Sequence, residues 1–125
     1  MEPIIYQETE DKPWVNLDKE NNTFEIGGKS LPENSSEFYS PILKWISEYV
    51  KDPNKTTHFV CKIEYFNSSS ARRFYEIFSE LDKIKQTGNE IKITWYYEKG
   101  DRLMENKGHE LKSILEIPFE VLPLE

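Results

Sequence analysis

Hydrophobic residues recur along this chain with two distinct periods, and the switches between the periods mark its elements. From Thr57 to Phe66 the period is two: Phe59, Cys61, Ile63 and Tyr65 share one face, and His58, Val60, Lys62 and Glu64 share the other. Ala71, Phe74, Tyr75, Phe78, Leu81 and Ile84 then fall at helical spacing. Thr87-Gly88-Asn89 closes that helix, with glycine in its usual C-terminal position. Ile91, Ile93, Trp95 and Tyr97 alternate again as a strand. Two strands joined through a helix of this length are expected to be parallel neighbours with a right-handed crossover.

The flanks extend this unit. Trp14–Leu17 and Thr23–Ile26 predict two strands joined through the Asn-rich turn at 18–22, with Gly27-Gly28 ending the second. Before them, Ile4-Ile5-Tyr6 is only a short apolar patch. Asn34, followed three residues later by Glu37, forms a capping box for a helix whose apolar face is Phe38, Tyr39, Ile42, Leu43, Ile46, Tyr49 and Val50. Pro41 implies either a restart of that helix at Ser40 or a kink. After Lys99-Gly100-Asp101 a polar helix carries Leu103, Met104, Leu111 and Leu115, and Pro118–Leu122 reads as a last strand. The expected fold class is mixed α/β, a single domain over 1–125. Its small mixed sheet would carry helices mainly on one face, with Lys62, Glu64, Lys92 and Thr94 leaving the other partly wet.

Composition narrows the function. A formal charge of −7 and a pI near 5.0 argue against nucleic acid as a partner, since phosphate contacts need clustered Lys and Arg. No apolar run approaches membrane-spanning length, so no membrane partner is expected. The N-terminal residues carry no basic region followed by an apolar stretch, and a lone cysteine, Cys61, fits a reducing compartment. The expected location is the cytoplasm.

Enzyme chemistry and bound groups find little support. Gly27-Gly28-Lys29-Ser30 ends like a phosphate-binding P-loop. Thr23 stands where its first glycine belongs, and a Leu-Pro break follows in place of a helix. His58 and His109 have no neighbours at ligand spacing, so no metal and no cofactor are expected. No nucleophile–base–orienter set is readable.

The most informative stretch is Asn67-Ser68-Ser69-Ser70-Ala71-Arg72-Arg73, where a strand runs into a helix. The first free N–H groups of a helix favour negative charge there. One of the serines caps the helix, holds an anion, or carries a phosphate. Capping is the ordinary use of serine at such a place. Three consecutive hydroxyls exceed what a cap requires, however, and Arg72 and Arg73 lie at the helix end that disfavours cations. An anion between the two guanidinium groups would account for both.

Three blocks, at 26–50, 63–74 and 93–122, resemble the SiaC family of bacterial regulatory phosphoproteins. Their most specific pieces are Gly28-Lys29-Ser30-Leu31-Pro32-Glu33-Asn34, Tyr65-Phe66-Asn67-Ser68-Ser69-Ser70 and Trp95-Tyr96-Tyr97. The resemblance implies a fold broadly like the STAS domains of anti-anti-sigma factors, and a non-enzymatic partner-switching role. A dedicated kinase would phosphorylate the hydroxyl block and a PP2C-type phosphatase would reverse it. The unmodified form would bind and activate a diguanylate cyclase, linking the protein to cyclic-di-GMP and biofilm control. The family's acceptor threonine falls on Ser68, with Ser69 and Ser70 as lesser candidates. A docking surface would comprise Asn67, Ser69, Ser70, Arg72 and Arg73, together with the Pro32-Glu33-Asn34 loop. The rival expectations are a constitutive interaction scaffold in which Ser68 only caps, and a small-ligand-binding domain.

Overall fold

A computed structural model describes all residues 1–125. Six strands form one mixed sheet in sequence order: β1 (Ile4–Tyr6), β2 (Trp14–Asp18), β3 (Thr23–Ser30), β4 (Thr56–Phe66), β5 (Glu90–Tyr97) and β6 (Phe119–Pro123). The first three strands are antiparallel, and β3 through β6 run parallel. Each parallel crossover contains a helix: α1 (Ser35–Tyr49), α2 (Ser68–Leu81, continued by a 3₁₀ turn to Thr87) and α3 (Arg102–Ser113). All three cover the same face. Phe24 packs against Trp45 of α1, Phe59 against Phe78 of α2, and the indole N–H of Trp95 donates to the Met104 carbonyl of α3. The result is one core of 26 buried hydrophobic residues and one open sheet face.

The strand–helix–strand reading of 57–97 holds, with β4 and β5 parallel and Gly88 left-handed (φ 84°) at the helix end. Asn34 caps α1 by accepting from the Glu37 amide at 3.0 Å, and Pro41 sits on the exposed side of one unbroken helix, so no restart occurs at Ser40.

Five expectations need correction. Ile4–Tyr6 is an edge strand, too short to show a period of its own. Gly27-Gly28 does not end β3, which runs on to Ser30. The glycines are there because the Trp14 indole lies over Gly27, while Gly28 has φ +92° with the Glu8 carboxylate against it. At that point the β3–β4 register slips: Gly28 pairs with Ile63, but Lys29 pairs with Tyr65, leaving Glu64 without a partner. The slip turns Phe66 into the core and leaves Tyr65 46% exposed, the reverse of what strict alternation predicts. Tyr75 is likewise 42% exposed, with Ile77 taking the buried place on α2. On the open face Thr94 is buried, not wet, with its hydroxyl 2.7 Å from His58 Nε2.

Candidate functional site

The parallel strands β3 and β4 end side by side, so the loops leaving them, and the N-termini of α1 and α2, form one surface. Two links hold the loops together. The Asn67 amide donates to the Ser30 carbonyl (3.1 Å), and Arg73 Nε reaches Ser35 Oγ across the two helices (3.3 Å). The Pro32-Glu33-Asn34 loop and the serine run, separated by more than thirty residues of chain, are thereby brought together.

Within the serine run each hydroxyl has a different fate. The helix cap is Asn67, whose side chain accepts from the Ser70 amide at 3.1 Å. This satisfies an orphan donor at the helix start without any serine. Ser69 Oγ donates back to Asn67 Oδ1 (3.0 Å). Ser70 is fully buried, and its hydroxyl donates to the Ser30 carbonyl (3.0 Å). Ser68, the first helical residue, is exposed and its hydroxyl has no partner within the chain. Of the three, Ser68 alone presents a free hydroxyl to a partner, at the helix end where added negative charge is favoured. The reading in which Ser68 merely caps loses its physical basis, because that position belongs to Asn67.

The two arginines also separate. Arg73 donates to Glu76 Oε1 at 2.6 Å and to Ser35, so it fastens α2 to itself and to α1. Arg72 is exposed, takes part in no ion pair, and lies four residues from Ser68, on the same side of the helix. Arg73 is thus engaged within the chain, whereas Arg72 carries no partner. Asn34 is occupied as the α1 cap, Pro32 is buried, and Glu33 is exposed.

Beneath the serine run lies a hydroxyl relay spanning three elements. Ser30 Oγ is 2.8 Å from Ser70 Oγ and 2.5 Å from the Tyr39 hydroxyl, and all three residues are fully buried. Each hydroxyl has one proton, which sets the direction. Ser70 donates to the Ser30 carbonyl, Ser30 donates to Ser70, and Tyr39 donates to Ser30. Burial pushes the Tyr39 phenol well above its usual range, so it remains a donor. The relay pins the first turn of α2 to β3 and α1. Its members stand nine and forty residues apart, so no local pattern could have revealed it.

The remaining candidates are quiet. Cys61 is buried and its thiol is pushed up by burial. No group of three or more His, Cys, Asp or Glu side chains is arranged to hold a metal. No helix is long and apolar enough to cross a membrane.

The fold is a mixed sheet covered by helices on one face, with an exposed, unpartnered hydroxyl at the start of α2. A family model described as SiaC family regulatory phosphoprotein matches residues 6–124. The chain belongs to the SiaC family, which makes it a regulatory protein rather than an enzyme. An uncharacterised protein of Pseudomonas aeruginosa strain UCBPP-PA14 is 22% identical over 113 residues, 90% of each chain. The crystal structure of apo-SiaC from Pseudomonas aeruginosa superposes with a TM-score of 0.88 at 22% identity, covering 98% of this chain and 99% of that one. SiaC in the crystal structure of the diguanylate cyclase SiaD with its activator SiaC, from the same organism, gives a TM-score of 0.89 at 21% identity, covering 97% and 99%. These likenesses establish that the folds agree.

Proposed function

We propose that this protein is the phosphorylation-controlled component of a bacterial partner-switching module acting in the cytoplasm, with Ser68 as its acceptor. A dedicated serine/threonine kinase modifies Ser68 and a PP2C-type phosphatase restores it. The unmodified form binds and activates a diguanylate cyclase, and so feeds cyclic-di-GMP signalling and biofilm control. The single observation carrying the site assignment is the exposed Ser68 hydroxyl, free because Asn67 caps the helix. The effector assignment is supported by family membership and by the relative that is the activator of a diguanylate cyclase.

The switch is electrostatic. Phosphorylation adds about −1.5 to −2 charges at a point where the backbone amides of α2 and Arg72 receive them. A partner surface packed over a neutral hydroxyl then meets a hydrated dianion that must be desolvated, and it is released. Incubation with the module's kinase and ATP, followed by mass-spectrometric mapping, tests the site. Phosphate is expected at Ser68 and absent in Ser68→Ala. Undiminished modification of Ser68→Ala would overturn the assignment.

A further inference from the structure

A groove that none of the three serines lines lies between the N-terminal edge of the sheet and the first half of α1, and it borders the serine run through the shared Pro32-Glu33-Asn34 loop. Its apolar lining is Ile5, Tyr6 and Phe38, with the Tyr6 and Phe38 rings 5.9 Å apart. Ile5 is 64% exposed and Tyr6 36%. Its rim carries Asp11, Glu33 and Glu37 against a single cation, Lys12. None of those three carboxylates has a basic group within ion-pair distance, as every ion pair in the chain lies elsewhere. The contrast with the groove between α1 and α2 is informative. There Glu76 and Glu80 are paired with Arg73 of α2 and Lys83 of the 3₁₀ turn that continues it.

The wall of this groove is also a strand edge. β1 pairs with β2 on one side and is the terminal strand of the sheet, so the backbone groups along its other side have no strand partner. β1 is guarded only by its shortness and by Pro3 just before it, and Ile4–Tyr6 contains no lysine or bulge. At the opposite edge β6 is likewise preceded by a proline, Pro118, but it also ends on Pro123 and its Glu120 pairs with Lys92.

We infer that the groove along β1 takes an extended basic segment of a partner protein, which adds a strand to β1. Its alternate apolar side chains would rest on Tyr6 and Phe38, and its Lys or Arg residues would meet Asp11, Glu33 and Glu37. Strand addition supplies the backbone hydrogen bonds, and the rim selects the charge. A second copy of this chain is disfavoured as occupant, because its β1, Ile4-Ile5-Tyr6, carries no Lys or Arg to meet the acidic rim. The inference is independent of Ser68.

Fluorescence anisotropy of the full chain with labelled synthetic peptides provides the test. The three probes are an octapeptide alternating valine with arginine, its twin with glutamate for arginine, and a basic helix-forming peptide of alanine, leucine and lysine. The valine–arginine peptide should bind at least tenfold more tightly than the other two and weaken with salt. The Glu33→Lys/Glu37→Lys variant, checked for an unchanged melting curve, should lose at least tenfold in affinity. Backbone amide exchange should slow at Ile4–Tyr6 when the peptide is present. Equal binding of the acidic twin, preference for the helical peptide, or protection at β6 in place of β1 would each overturn the inference. So would absence of binding at millimolar peptide, or self-association through β1 in sedimentation equilibrium.

Discussion

Removing the central hydroxyl of the buried relay, Ser30→Ala, has a consequence that the geometry makes quantitative. The Tyr39 hydroxyl loses its nearest acceptor and keeps only the more distant Ser70 hydroxyl, while its ring stays packed between Phe38 and Phe74 with no route to water. Ser70 keeps its bond to the Ser30 carbonyl and loses only an incoming donor. One orphaned buried hydroxyl costs roughly 1–3 kcal/mol, so about 2 kcal/mol of stability should disappear. For a chain of this size that lowers Tm by roughly 8 °C. Tyr39→Phe in the same background removes the orphan and retains the ring. The double variant should therefore be more stable than Ser30→Ala alone, recovering about 1 kcal/mol. Urea unfolding with matched m-values reads both differences. A double variant as unstable as the sum of its two single variants would refute the relay.

Other substitutions separate the roles assigned above. Asn67→Ala should lower stability by about 1 kcal/mol through loss of the α2 cap, whereas Ser68→Ala should stay within about 0.5 kcal/mol of wild type in thermal melts. Gly108→Ala should destabilise by roughly 1–3 kcal/mol, because the new Cβ would lie 2.5 Å from Trp95 Cδ1, and calorimetry would show it. His58 is held below its ordinary 6.5 by burial first and by Lys92 second, with Glu120 and Glu25 opposing. Its neutral form is the one the fold favours, so its contribution is present above pH 6.5 and is lost as the pH falls from there through the lower folded value. Thermal melts of wild type and His58→Gln across that window should diverge at the acid end.

What could be read from sequence were the features in which one residue's environment repeats at a fixed interval. The alternation through Phe59, Cys61, Ile63 and the helical spacing of Phe74, Phe78 and Leu81 each follow from burying one face, so the sequence alone displays them. The errors cluster where a non-local contact overrides the period. The slip opposite Gly28 exchanges Tyr65 for Phe66, and the His58–Thr94 bond closes over a position that alternation leaves wet. At the candidate site the serine run and its neighbouring arginines were conspicuous. Their division of labour was not, since it depends on Ser30, Ser35 and Tyr39 arriving from another part of the chain. The groove along β1 was invisible for the same reason.

The affinity of this protein for the diguanylate cyclase of its module, measured by isothermal titration before and after stoichiometric phosphorylation of Ser68, tests the central claim most directly. The account predicts a tight complex with the unmodified chain and at least a tenfold loss on phosphorylation, restored by a PP2C-type phosphatase. Equal affinity of the two forms would contradict it.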